Sequence, residues 1–173
     1  DLSHFEIDRL DKPFFIKRSN RISKKSNISN GCRIGKNFTI GHGSSILENC
    51  IIGNNVNIGL NTIIKNTIVG DNVKIGSNTS IGQSGFGFVF QKDNNINIYH
   101  TGRVIIQNKV NIGCNCTIDR GSFSDTVIGE NTYLDNMIHI AHNVKIGNNT
   151  AIAGQSGIAG SSTVGNYVKI GGQ

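Results

Sequence analysis

Residues 34–65 read IGKNFTIGHGSSILENCIIGNNVNIGLNTIIK, and in them Ile34, Ile40, Ile46, Ile52, Ile58 and Ile64 recur at every sixth position. The beat begins earlier, at Ile22 and Ile28, so eight successive isoleucines keep it. After a one-residue contraction it resumes at Val69, Ile75 and Ile81, and beyond an interruption it continues at Ile106, Ile112 and Ile118. A four-residue expansion then leads to the last run, Ile128, Leu134, Ile140, Ile146, Ile152, Ile158, Val164 and Ile170. In most of these hexads the next residue is Gly, which reads as a turn opening one step past each inward side chain.

Six is a multiple of the strand period of two, but a Gly every six residues would cripple one continuous strand. The chain must therefore turn at each hexad. Short strands that turn in one sense and stack on themselves make a solenoid, and hexad periodicity is the signature of a parallel β-helix. About eighteen residues per coil and roughly 4.8 Å of rise per coil give about seven coils and a height near 35 Å. The residue two before each aliphatic also points inward, near a corner where modest volumes fit. There stand Cys32, Ser44, Cys50, Val56, Thr62, Val73, Thr79, Val110, Cys116, Thr126, Thr132, Val144, Thr150, Ser156, Ser162 and Val168. Three of the four Cys fall in that set and read as small buried fillers rather than disulfide partners or metal ligands.

Composition agrees. The 173 residues hold 28 Ile against 5 Leu, with 22 Gly, 24 Asn and a single Pro, which favours short strands and turns over helices. No apolar run approaches the roughly 20 residues of a membrane-spanning helix, and residues 1–10 lack the apolar core of an export signal, so a cytoplasmic location is expected. The net charge of +6 is modest and half of it lies within the first 25 positions, where seven basic residues meet four acidic ones; that stretch reads as a solvated leader and not as a nucleic-acid surface. Residues 1–21 form that N-terminal leader, and residues 22–173 form the β-helix with a loop inserted at 83–103. The beat stops at Ile170-Gly171-Gly172-Gln173 with no cap, so the chain is expected to be truncated.

Function in a solenoid belongs where the repeat fails, because its regular positions are committed to packing. The loop at 83–103, QSGFGFVFQKDNNINIYHTGR, carries Phe86, Phe88, Phe90 and Tyr99, a surface suited to an apolar ligand or a neighbouring subunit. A second break is Asp119-Arg120-Gly121-Ser122-Phe123, where Asp takes the turn position. A third is NMIHIAHNV at 136–144: Ile140 points inward, leaving His139 and His142 at the outer corner. Asp135 replaces the turn Gly one hexad earlier, a carboxylate one corner step from His142 that could orient its imidazole as a base. Eighteen residues after His142 comes Gly160, one coil above it. A histidine base with a backbone N–H overhead is what acyl transfer requires. A zinc site is disfavoured, since His42, His139 and His142 lack ligand spacing.

At SGFGF (84–88), GRVII (102–106), TIDRG (117–121), the DN of 135–136, IAHNVKIG (140–147) and GIAGSSTVG to the final IGGQ, the chain resembles the hexapeptide-repeat acyltransferases. Among them it is most similar to the N-acyltransferases of lipid A biosynthesis. The resemblance implies an all-β, left-handed parallel β-helix of triangular section, assembled as a homotrimer with active sites between subunits. It implies transfer of a 3-hydroxyacyl chain from the phosphopantetheine of acyl carrier protein to the 2-amine of UDP-3-O-acylglucosamine, with no metal and no further cofactor. His142 would be the general base, Asp135 the carboxylate that holds it, and Gly160 the oxyanion donor. Phe86, Phe88, His139 and Asn143 would contact substrate, and residues 1–21 would be the remnant of a uridine-binding domain. The chain departs from the family at Ser84 and at Asn97-Ile98-Tyr99. Three other readings stay open: an O-acyltransferase acting on UDP-N-acetylglucosamine, which HIAHN also resembles, a nucleotide-sugar N-acetyltransferase, and an inactive structural solenoid.

Overall fold

The computed structural model describes the backbone of residues 14–15 and all of residues 20–173; most of the leader, residues 1–13 and 16–19, lies outside it. Strands of two to four residues recur at every hexad and sort into three parallel sheets, the faces of a prism. The first face stacks Phe14–Phe15, Arg33–Ile34, Ile51–Ile52, Thr67–Val69, Val104–Ile106, Thr126–Ile128, Lys145–Ile146 and Thr163–Val164. The second runs from Arg21–Ile22 to Lys169–Ile170, and the third from Asn27–Ile28 to Gly157–Ile158. The fold is the expected all-β, left-handed parallel β-helix, and no helix occurs among the described residues. It follows that none is long and apolar enough to cross a membrane.

Strand register explains the irregularities in the beat. Ile34 pairs with Ile52, an ordinary coil, whereas Val69 pairs with Ile106 across the inserted loop and Ile106 with Ile128 across the four-residue expansion. The inward Ile stack because each coil repeats the last. From Ile34 to Ile152 the hexad aliphatics are at most 3% exposed, while Ile28, Ile158, Val164 and Ile170 pack on the core half-buried near its ends. Each full burial stabilises by about 1.5–3 kcal/mol.

The corners carry two features beyond the beat. Except at Gly82, the Gly after each Ile is not where the chain turns left-handed. That conformation falls two residues later, on Asn37, Asn49, Asn55, Asn61 and their equivalents at φ of 48–63°, where a short polar side chain tolerates it. Gly is needed instead for close stacking: a Cβ on Gly35 would lie 2.6 Å from the Gly53 carbonyl oxygen, and one on Gly76 2.4 Å from the Gly113 carbonyl carbon. The corner positions two before each aliphatic are also more than modest fillers. Phe38 and Ile138 occupy two of them fully buried. The hydroxyls there donate to carbonyls of the next coil, Ser44 to Gly59 at 2.7 Å, Thr62 to Gly76 at 2.9 Å and Thr132 to Gly147 at 2.9 Å. Cys32 does the same to Leu47 at 3.0 Å. Small polar residues thus fill the corner and satisfy a buried backbone group.

Candidate active site

The three breaks in the beat converge. Strands Ser80–Gln83, Thr117–Asp119, His139–Ile140 and Gly157–Ile158 are successive rungs of the third face. The segments leaving their ends form one corner of the prism. From bottom to top these are the inserted loop, the Asp119–Ser124 turn, Ala141–Asn143 and Ala159–Ser161. The loop departs through Gly82 (φ 84°), where the register slips, and carries an antiparallel hairpin of Phe88–Phe90 with Asn95–Asn97.

His142 sits half-buried at this corner. Its Nδ1 is 3.0 Å from Asn143 Oδ1 and 3.4 Å from Ser122 Oγ. Asn143 Oδ1 also accepts the Ser122 amide at 3.0 Å and the Ser122 hydroxyl at 2.7 Å, while its Nδ2 donates to Ser124 Oγ at 2.7 Å. The amide oxygen therefore faces His142, so the proton resides on Nδ1 and Nε2 carries the lone pair. That Nε2 lies against Gly160, one coil above, where a Cβ would be 2.7 Å from it. The coil arithmetic holds here: His139 pairs with Gly157, and the Ser161 amide donates to the His142 carbonyl at 2.9 Å.

Asp119 is the carboxylate of this cluster. It lies 3.9 Å from His139 Nε2, and His139 Nδ1 shares a 2.7 Å hydrogen bond with Thr117 Oγ1. Burial pushes the Asp119 carboxyl above its ordinary value, against the opposing pull of His139, His142 and His100. A third imidazole, His100, is buried edge-on to His142 with ring centroids 5.5 Å apart. Asp119 carried a signal in the sequence, since it replaces the turn Gly one expanded coil below Ala141; His100, inside the loop, carried none.

Asp135 is not brought to His142 within the chain. One hexad step is the width of one face, so Asp135 leaves the second face and His142 the far edge of the third. Asp135 Oδ2 accepts the Gly154 amide at 3.1 Å and borders a shallow groove of about 500 Å³ with Asn111, Tyr133, Ala151 and Lys169. Phe86 and Phe88 lie on the loop, edge-to-face at 4.8 Å, with Phe86 83% exposed. Phe88 continues edge-to-face to Phe90, and both Phe86 and Phe88 line a second groove of about 540 Å³ with Ile98 and Tyr99. His42 stands exposed at the corner that Asp135 shares, and no grouping of three or more metal-binding side chains occurs among the described residues.

Comparison with known proteins gives two family matches: the GMPPB C-terminal domain over residues 10–98, and the bacterial transferase hexapeptide (six repeats) over residues 125–160. The chain is 45% identical over 92 residues to the UDP-3-O-acylglucosamine N-acyltransferase of Methylorubrum extorquens (strain PA1), a stretch covering 53% of this chain and 26% of that protein. It is 56% identical over 64 residues to the enzyme of the same name from Bradyrhizobium sp. (strain BTAi1), covering 36% and 18%. The matched stretches are thus about a quarter or less of these relatives' length. In structure it resembles a UDP-N-acetylglucosamine acyltransferase of Bacteroides fragilis, with a TM-score of 0.66, 24% identity, and coverage of 85% of this chain and 54% of that one.

Proposed function

The chain belongs to the family of the GMPPB C-terminal domain, whose match spans residues 10–98 of its 173. On that framework we propose that it is part of an acyltransferase of lipid A biosynthesis. The reaction we assign moves a 3-hydroxyacyl chain from the phosphopantetheine thioester of acyl carrier protein to the 2-amine of UDP-3-O-acylglucosamine. Similarity to relatives named UDP-3-O-acylglucosamine N-acyltransferase supports the acceptor and the N-acyl transfer. The observation that carries it is the contact of His142 Nε2 with Gly160 one coil above it, while Nδ1 faces Asn143 Oδ1.

In this reading His142 Nε2 takes a proton from the attacking amine while the nitrogen adds to the thioester carbonyl. The amide of Gly160 stabilises the oxyanion of the tetrahedral intermediate. Collapse expels the phosphopantetheine thiolate, which recovers a proton from the His142 imidazolium. Ser122 and Asn143 hold the imidazole so that only Nε2 is free to act. Asp119 offsets the positive charge that forms on the imidazole, and His139 lies beside it within reach of substrate. The chain works as a homotrimer in the cytoplasm, its sites in the clefts between subunits. There Asp135 of one copy supplies a carboxylate to the histidine corner of the next, and Phe86 and Phe88 cover the apolar chain.

The test is turnover. The protein carrying this chain is incubated with 3-hydroxyacyl-acyl carrier protein and either UDP-3-O-acylglucosamine or UDP-N-acetylglucosamine, and the products are weighed by mass spectrometry. The reading expects amide formation on the first acceptor only; ester formation on the second would move the assignment to the O-acyltransferases.

A further inference from the structure

The inserted loop returns to the solenoid at His100, and this histidine is bonded in an unusual way. Its residue is 6% exposed, and its Nδ1 accepts the Gly85 amide at 3.1 Å. An imidazole nitrogen that accepts carries no proton, so the hydrogen of the neutral ring is on Nε2. That N–H is buried and meets no acceptor among the described residues. A buried donor left unmatched is rare and costly. It lies under the SGFGF turn, where a Cβ on Gly87 would be 2.7 Å from it. Gly85 is wedged against three groups at once: a Cβ there would stand 3.0 Å from His100 Cε1, 3.0 Å from His142 Cβ and 3.1 Å from Asp119 Oδ2. The turn therefore rests on the histidine corner through one hydrogen bond to His100. Beyond it, among the described residues, the hairpin pairs only with itself.

We propose that His100 is a positioning residue that seats the SGFGF turn over His142 while neutral and releases it on protonation, making the aromatic hairpin an acid-opened strap. Protonation puts a hydrogen on Nδ1, which then faces the Gly85 N–H donor to donor, and places an imidazolium in a buried site. The charged and titratable groups facing that site are few. Asp119 favours the imidazolium and His142, edge-on, opposes it when charged. His139 acts through Asp119, and Arg120 is occupied by the carbonyls of Gly102 and Thr101 at 2.6 and 3.1 Å. The base of the loop stays anchored in either state, since Thr101 donates its amide to the Ser122 carbonyl at 2.7 Å. Motion is thus confined to the turn and hairpin. This inference concerns the chain's own loop and stands or falls separately from the acyl-transfer chemistry.

Amide hydrogen exchange over residues 84–88, expressed as protection relative to the intrinsic rate at each pH, tests it. Protection in the wild-type protein is expected to fall by about tenfold between pH 8 and pH 5, the order of one lost hydrogen bond. His100→Gln supplies an amide oxygen that accepts the Gly85 N–H without titrating, so its protection should persist at both pH values. His100→Phe, which cannot accept, should show low protection at both. Wild-type protection that is the same at pH 5 and pH 8 would overturn the proposal, as would a His100→Gln variant that loses protection on acidification as the wild type does. The wild-type and Gln measurements decide the matter even if the Phe variant does not fold.

Discussion

Nε2 of His142 occupies the space a side chain on Gly160 would need: a Cβ there would stand 2.7 Å from it. Coil stacking alone produces this contact, because His139 and Gly157 are paired rungs of one sheet and the corner residues that follow them superpose. Gly160 does not have positive φ, so its backbone would accept a side chain. What excludes one is the imidazole.

Gly160→Ala should therefore leave folding nearly intact and displace His142. The expected result is a fall in kcat/KM of about 10²-fold or more, the scale of a misplacement near 1 Å, with Tm little changed. Steady-state kinetics beside a thermal melt reads both.

The carboxylates Asp119 and Asp125 should respond to acid in opposite ways. Burial would raise Asp125, but hydrogen bonds from the Arg103 side chain and backbone and the charges of Arg103 and Lys145 outweigh it and hold it below its ordinary value. Its stabilisation is present above the unfolded carboxyl value of about 3.9 and disappears as pH falls through the lower folded value. Asp119 is raised by burial, so its ionisation costs stability at neutral pH and that cost vanishes on acidification. Asp125→Asn should lower Tm at pH 7, and Asp119→Asn should raise it while reducing acyl transfer. Each variant should converge on the wild type in strong acid. Melts across pH 2–8 check the signs.

A corner hydroxyl can be removed without changing shape. Thr62→Val keeps the volume and leaves the Gly76 carbonyl without the 2.9 Å bond it accepts. A loss of about 1–3 kcal/mol in chemical denaturation is expected. A value near zero would mean the hydroxyls at these corners are only fillers.

The solenoid was legible because its cause is periodic: one inward aliphatic per hexad fixes face, coil and register together, and Gly160 over His142 followed by counting. What could not be counted was missed. The stacking role of Gly35 and Gly76 is not visible in sequence because clearance is a relation between coils and not a property of one hexad. Asp135 was set beside His142 by nearness in sequence, whereas seven residues carry the chain across a whole face. Asp119 holds the position nearer the histidines because a four-residue expansion shifts it into the coil below. His100 comes back to the corner through a hairpin whose path no periodicity describes, so its contact with His142 emerges only in three dimensions.

The central claim is that His142 Nε2 removes a proton from the attacking amine. The most direct measurement is single-turnover acyl transfer from 3-hydroxyacyl-acyl carrier protein to UDP-3-O-acylglucosamine by the His142→Gln variant of the protein carrying this chain, at saturating acceptor. The rate is expected to fall by about 10²–10⁴-fold, as for loss of a general base. A rate within about threefold of the wild type, far inside that range, would contradict it.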